Sequence, residues 1–141
     1  AVPLRHGWLA QPATWPRLTL VGMAAGAALL GLEALWRLQP EVLVDTAGLT
    51  FALPLARLLG SRTAAYVHYP IVSTDMLRRV RDGVAMYNNP GSVAGSRWRT
   101  AAKVLYYRAF AVAYGLAGAC VGVAMVNSSW TLGHVRELWF G

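Results

Sequence analysis

Three short apolar runs alternate with longer helix-like segments along this sequence, and this alternation constrains the fold more than any other feature. The runs cover residues 42–45, 62–69 and 123–127. The first two are followed by residues that end an extended segment, Gly48 and Pro70. Strands connected by helices form parallel sheets, because each crossover helix returns the chain to the end of the sheet where the previous strand began. The sequence therefore predicts an α/β fold with a parallel sheet flanked by helices.

Five helical segments are predicted around these strands. Pro16 favours a helix start and Pro40 a helix end, whereas Gly60 ends the second segment. The predicted helices cover residues 17–39, 49–60, 73–83, 99–122 and 128–140. Residues 87–98 are rich in Asn, Gly, Ser and Pro, which is typical of a loop. The first strand is predicted to be of the buried parallel type, with both faces covered.

The composition indicates a surface that needs a partner. Of the 141 residues, 56% are hydrophobic and only 13% are charged, which is about half the usual charged share. The net charge of +7 favours anionic partners such as phosphates or acidic lipids. A spanning helix needs roughly 20 apolar residues; the uncharged stretch 18–32 is shorter, and the stretch 109–126 overlaps the third strand. We expect apolar helices that pack on the sheet and dip partly into a bilayer.

Length and cysteine content limit the domain organisation. A chain of 141 residues is long enough for one ordinary domain with a core. The single cysteine, Cys120, excludes an internal disulfide, and three scattered histidines give no recognisable zinc pattern. Residues 1–15 are predicted to be an irregular segment, and no initiator Met precedes them. We therefore expect a piece of a larger protein, with part of the active site supplied from elsewhere.

His68 is the first candidate for chemistry. It stands where the second predicted strand ends, and Tyr69 and Pro70 follow it at once. A lone histidine in an apolar run is most often a buried core residue. In parallel sheets, however, ligands bind beyond the carboxyl ends of the strands. The position of His68 therefore favours a residue of a binding cleft.

Three stretches of the sequence carry a resemblance to a known family. They are YVHYPIVSTDML at residues 66–77, MVNSSWTLGHV at 125–135 and GLEALWRLQPEVLVDTAGLTFALPL at 31–55. Together they resemble the amino-terminal domain of the GDP-mannose-dependent α-1,2-mannosyltransferases that extend dolichol-linked oligosaccharide on the cytosolic face of the endoplasmic reticulum. The resemblance covers the chain from about residue 16 onward.

The resemblance implies the Rossmann-like, amino-terminal half of a GT-B glycosyltransferase. Residues 16–141 would form part of this acceptor-side domain, and the donor-binding carboxyl-terminal domain would be absent, so the fragment alone would be inactive. The implied reaction transfers mannose from GDP-mannose, with retention, to a dolichol-pyrophosphate oligosaccharide. The implied partners are these two substrates, the lipids of the endoplasmic reticulum membrane and the missing domain. No metal, cofactor or nucleic acid is implied.

The same resemblance gives His68 a place near the transferred sugar, as the catalytic residue. Helix starts favour anions because their first backbone N–H groups are free. The helices predicted to begin at residues 73 and 128 each follow a strand and start with hydroxyl residues. The substrate-binding candidates are Tyr69, Ser73, Thr74, Arg78, Arg79, Asn127 and Ser128. The alternatives are helix caps for the hydroxyl and amide side chains and solvated surface positions for the arginines. Asp75 would repel a phosphate at the first helix start.

A function of another class competes with this interpretation. A non-catalytic helical membrane scaffold, or a transporter fragment, would use residues 18–32 and 109–126 as membrane spans and would contain no parallel sheet. Nucleic-acid binding is disfavoured, because the aromatic residues are spread through apolar helices and are not interleaved with Arg and Lys on a strand.

Overall fold

A computed structural model of the protein describes residues 3–16, 19–73, 75–76, 78 and 97–141. Its helices are α1 Thr19–Leu38, α2 Leu53–Leu58, α3 Arg97–Gly118 and α4 Ser129–Val135. Its strands are β1 Val42–Asp45, β2 Arg62–Val67 and β3 Val123–Val126. Single 3₁₀ turns cover Gly7–Ala10, Pro12–Thr14 and Thr50–Ala52, and a π-helical turn, Arg136–Phe140, continues α4.

The three strands form one parallel sheet in the order β1-β2-β3. In this register Ala65 pairs with Asp45 on one side and with Ala124 on the other. The carboxyl ends of all three strands therefore lie at one edge of the sheet. The predicted α/β fold with a parallel sheet is confirmed. Most of the predicted loop at 87–98 and most of the predicted helix at 73–83 lie outside the described residues. The loop prediction is wrong at residues 97 and 98, which belong to α3.

Helix α1 packs closely because small residues occupy its buried face. Its buried positions are Gly22, Gly26, Ala27, Leu30, Gly31 and Leu35. A Cβ atom at Gly26 would overlap the backbone of Leu9, and one at Gly31 would overlap Ala52. The helix ends before Pro40, where Gln39 takes a left-handed conformation with φ 42°. Any larger residue on this face would push α1 away from its neighbours.

Helix α3 ends four residues earlier than the sequence predicts, at Gly118 rather than at residue 122. The reason is the sheet: the Gly122 N–H donates to the Thr63 carbonyl at 2.9 Å, so the chain has left the helix to reach the edge of β2. The uncharged stretch 109–126 is thus divided among a helix, a turn and a strand. This division excludes a single helix that spans a membrane over these residues.

The core lies on one face of the sheet. Ala65 and Val67 of β2 belong to one buried cluster with residues of α3 and of the π-helical turn. Its members are Leu53, Ala65, Val67, Val72, Phe110, Ala111, Tyr114, Val121, Val135 and Trp139. Tyr114 is almost fully buried, and this burial raises the pKa of its hydroxyl. The Tyr114 side chain therefore stays neutral at physiological pH.

The opposite face of the sheet is exposed. Val42, Val44, Val123 and Met125 are between 41% and 58% exposed, and they alternate along their strands with more buried residues. The prediction that β1 is covered on both faces is therefore wrong for the described structure. Helix packing covers the face of Ala65 and Val67, and the described residues place nothing comparable on the other face.

Among the described residues, α1 alone has the length and apolar composition that crossing a membrane requires. One third of that helix is buried within the protein. Its exposed side chains include Val21, Leu29, Leu32 and Trp36, which recur at helical spacing on one side. Helix α1 thus has one face packed inside the protein and one apolar face directed outward.

The amino-terminal segment is attached to α1 through Glu33. The Glu33 carboxylate accepts hydrogen bonds from the backbone N–H groups of Arg5, at 2.8 Å, and His6, at 3.2 Å. It also forms an ion pair with Arg37 at 2.7 Å, and the His6 Nδ1 atom lies 3.0 Å from its Oε2 atom. These donors, the Arg5 N–H foremost, lower the pKa of Glu33 to about 2. All of them favour the ionised carboxylate.

We predict that Glu33→Gln releases the amino-terminal segment. At pH 6 the variant should lose protection of the Arg5 and His6 amides from hydrogen exchange. Because the folded-state pKa is lowered from 4.5 to about 2, the contribution of the wild-type carboxylate is complete above about pH 4.5 and is lost as the pH falls towards 2. Glu41→Gln is the control, since Glu41 is exposed. Equal protection in both variants would contradict this role for Glu33.

Leu53 and Leu58 offer a matched test of the core within one helix. Leu53 is fully buried, whereas Leu58 is 83% exposed. Leu53→Ala should lower the free energy of unfolding by about 2–5 kcal/mol, because it leaves a cavity, whereas Leu58→Ala should change it by less than about 0.5 kcal/mol. Urea denaturation followed by circular dichroism measures both. Similar losses in the two variants would mean that α2 does not pack as described.

Candidate functional site

A cavity of about 180 Å³ lies beyond the carboxyl ends of β1 and β2. It is lined by residues 45–48, Thr50, residues 66–69, Ile71 and Tyr114. The cavity therefore occupies the place where ligands bind in parallel sheets. Of the predicted site residues, His68 and Tyr69 line it.

Asp45 shapes the wall on the β1 side. Its Oδ1 atom accepts hydrogen bonds from the backbone N–H groups of Ala47, at 3.0 Å, and Leu49, at 2.9 Å. Gly48 lies in this loop with φ 80°, a conformation that favours glycine. In the sequence, Asp45 is only the last residue of the first predicted strand. An Asp followed closely by Gly is a turn signal that could have identified this loop.

His68 lies at the end of β2 and is exposed, so the alternative of a buried core histidine is wrong. Its ring meets the Tyr66 ring edge to face, with centroids 4.7 Å apart. Its backbone carbonyl lies 3.4 Å from the Thr131 hydroxyl of α4. Tyr66 thus supports the imidazole, and α4 supports the backbone that carries it.

Tyr69 is part of a row of three aromatic rings, formed with Trp130 and His134, that is not among the sequence predictions. Its ring stacks on Trp130 with centroids 5.0 Å apart and an angle of 26°. Trp130 in turn meets the His134 ring at 4.0 Å, and His134 Nε2 lies 3.6 Å from the Asp75 carboxylate. Trp130 and His134 are four residues apart on α4, so the available signal was their helical spacing.

The candidates in the helix predicted to begin at residue 73 differ in what the structure shows for them. Ser73 is buried, and its Oγ atom accepts a hydrogen bond from the Met76 N–H at 3.1 Å, which is the capping alternative. Ser73 does not line the cavity. Arg78 is exposed. Thr74 and Arg79 lie outside the described residues.

Asn127 and Ser128 form the start of α4. The Ser128 Oγ atom accepts a hydrogen bond from the Thr131 N–H at 3.1 Å and therefore caps the helix. The Asn127 Oδ1 atom lies 3.0 Å from the Thr131 hydroxyl. Neither residue lines the cavity beside His68. Thr131, which is buried and touches both, was not singled out from the sequence.

A larger cavity of about 780 Å³ lies between the amino-terminal segment, α1 and α3. Its lining includes Trp15, Leu20, Lys103, Tyr106 and Tyr107, and it shares no residue with the cavity beside His68. Partial burial there lowers the pKa of Lys103. Within the described ranges, no group of three His, Cys, Asp or Glu side chains is placed to hold a metal ion.

Comparison with known families assigns the chain to one of them. Residues 1–139 match the family described as ALG11 mannosyltransferase N-terminus. The chain belongs to this family. The match includes the first fifteen residues, which lie before the stretches that carry the resemblance in the sequence analysis.

Individual relatives agree with the family. The chain is 43% identical over 137 residues to a Mus musculus protein named GDP-Man:Man(3)GlcNAc(2)-PP-Dol alpha-1,2-mannosyltransferase, covering 96% of this chain and 28% of that protein. Proteins of the same name match from Caenorhabditis elegans, at 40% identity over 93% of this chain and 28% of the relative, and from Dictyostelium discoideum, at 37% over 96% and 27%. The chain thus spans little more than a quarter of these relatives. No solved structure matches.

We predict that the main role of Ser128 is to cap the start of α4. Ser128→Ala should lower the free energy of unfolding by about 1 kcal/mol, because the Thr131 N–H loses its acceptor. Ser129→Ala, on the neighbouring exposed residue, should change it by less than about 0.5 kcal/mol. Urea denaturation distinguishes the two variants. An unchanged stability in Ser128→Ala would contradict the capping role.

Proposed function

We propose that this chain forms the acceptor-side wall of the active site in a retaining, GDP-mannose-dependent α-1,2-mannosyltransferase. The acceptor would be the trimannosyl- or tetramannosyl-chitobiosyl-pyrophosphate-dolichol intermediate of N-glycan assembly. Membership of the ALG11 amino-terminal family and the names of the relatives support this proposal. The remainder of the full-length protein would supply the donor-binding domain.

The observation that carries the proposal is the position of His68 and Tyr69. Both follow β2 directly and line a cavity beyond the carboxyl edge of the parallel sheet. A transferase must hold two substrates in one cleft, and this edge is where an α/β domain offers a binding surface. Holding both reactants in the correct orientation removes much of the entropic part of the barrier.

His68 is proposed to contact the transferred sugar. A neutral imidazole has one N–H donor and one nitrogen acceptor, which match the hydroxyl groups of a mannose. The Tyr66 ring beside it restricts how the imidazole turns. His68 would therefore orient the sugar by hydrogen bonding, and GDP-mannose would serve as donor without a separate cofactor.

The other candidates are proposed either to hold the helix starts beside the cavity or to interact with pyrophosphate. Ser73, Asn127 and Ser128 would act on substrate indirectly, since they hold the helix starts beside the cavity. Arg78 is proposed to interact with pyrophosphate because it is exposed. Thr74 and Arg79 remain candidates from the sequence for the same role.

The lipids of the endoplasmic reticulum membrane are the proposed third partner, contacted from the cytosolic face. The outward apolar face of α1, from Val21 to Trp36, supports contact with acyl chains. The net charge of +7 supports attraction to anionic headgroups. A membrane position would bring the cavity close to a substrate that is itself anchored by dolichol.

The helical scaffold or transporter is the weaker alternative. It predicts that no parallel sheet exists, and the described strands form one. It also predicts a spanning helix over residues 109–126, whereas β3 begins at Val123.

The test is transfer of labelled mannose from GDP-mannose to a trimannosyl dolichol-pyrophosphate acceptor by the full-length protein. His68→Ala, compared at equal folded amounts, should lower kcat by about 100-fold, since the sugar loses an orienting contact. His6→Ala is the control, because His6 contacts Glu33 and does not line the cavity. Absence of transfer by the wild-type protein would refute the proposed function, and full activity of His68→Ala would refute the role of His68.

A further inference from the structure

The ring of Tyr69 has one supported face and one open face. Trp130 stacks against it with centroids 5.0 Å apart, yet the Tyr69 residue is 65% exposed and lines the cavity beside His68. The Trp130 ring fixes one face of the Tyr69 ring, and the exposed remainder can stack on a ligand. Packing of the core does not require it, since Tyr69 is not among the core residues.

The volume of the cavity limits how much of a ligand it can hold. Its volume is about 180 Å³, which is below the roughly 300–1,000 Å³ of pockets that enclose drug-sized ligands. A single six-membered sugar ring suits this space better than a nucleotide or a whole oligosaccharide. The flat side of a hexopyranose presents C–H bonds, which the negative face of an aromatic ring attracts.

The charges around the cavity favour the same neutral ligand. The described residues that line it include the Asp45 carboxylate and no Lys or Arg. On the far side of Trp130, the half-exposed Asp75 carboxylate lies next to His134. Both carboxylates would repel a phosphate. Together with the ring nitrogens of His68, which can form hydrogen bonds, they match the uncharged hydroxyls of a sugar.

We propose that the free face of Tyr69 stacks on one hexopyranose ring in the cavity beside His68, and that Trp130 is the positioning residue that holds Tyr69 for this contact. The inference rests on the proposed function and deepens it, since it names the part of the site that recognises the sugar ring itself. The ring belongs either to the donor mannose or to the terminal mannose of the acceptor, and the kinetics below distinguish these sources.

The positioning role of Trp130 follows from the order of the contacts. Trp130 touches Tyr69 on one side and the His134 ring on the other, at 5.0 Å and 4.0 Å. It lies in α4, whose start is fixed by the Ser128 cap. The orientation of Tyr69, which is itself in the segment after β2, is thus set by a ring from the neighbouring helix. Trp130 does not line the cavity and acts only through Tyr69.

The experiment compares paired substitutions in the full-length protein, one of each pair keeping an aromatic ring. Tyr69→Phe and Trp130→Phe should retain near wild-type KM values. Tyr69→Leu and Trp130→Leu should raise one KM roughly five- to tenfold, with a smaller effect on kcat. Trp8→Leu is the control, since Trp8 is also exposed but belongs to the amino-terminal segment. A rise in KM for GDP-mannose assigns the ring to the donor, and a rise for the lipid-linked acceptor assigns it to the acceptor.

A second readout separates this inference from the proposed function. Saturation-transfer NMR with methyl α-mannopyranoside should show binding to the wild-type protein and to Tyr69→Phe, and much weaker binding to Tyr69→Leu. Ring-dependent binding without any mannose transfer would support the stacking site while refuting the proposed transferase. Equal KM values and equal mannoside binding in the Phe and Leu variants would overturn the inference, as would a loss of kcat alone.

Discussion

The pairing of β2 with a parallel strand on each side is the constraint on which the rest of this structure depends. Because both neighbours run in the same direction, the ends of β1, β2 and β3 lie at one edge. The residues that follow those ends are thereby brought together from distant parts of the chain. The cavity, the Asp45 loop and the row of rings from Tyr69 to His134 all exist because of this arrangement.

Much of this arrangement could be predicted from local patterns. The three strands and the parallel sheet follow from β-branched and apolar runs separated by helices, and the position of His68 follows from where one run stops. The end of α3 could not be predicted, since the helical pattern continues past Gly118 and the chain leaves the helix to form hydrogen bonds with Thr63. A contact between residues 59 positions apart leaves no local trace in the sequence.

The candidate site was predictable in part for the same reason. His68 and Tyr69 are adjacent to a strand end, so a local rule finds them. Trp130 lies 61 positions beyond Tyr69 in the chain, and only the pairing of β2 with β3 brings the two rings together. The roles of the hydroxyl residues could not be predicted from the sequence, because a side chain that caps a helix and one that binds a substrate look alike before their partners are known.

The partners of these polar side chains determine what chemistry the cavity retains. The Ser73 and Ser128 hydroxyls and the Asp45 Oδ1 atom accept hydrogen bonds from nearby backbone N–H groups, so these atoms hold loops and helix starts. What the described cavity offers to a ligand is an imidazole, an open aromatic face and negative charge. We infer that such a surface suits a neutral sugar better than a phosphate. If the proposed reaction is correct, the pyrophosphate groups of donor and acceptor must therefore be neutralised outside this cavity, by residues such as Arg78 or by the donor-binding domain. The sugar and the phosphates would then be recognised by physically separate surfaces, which allows the cleft to orient the reacting ring without also carrying the charge.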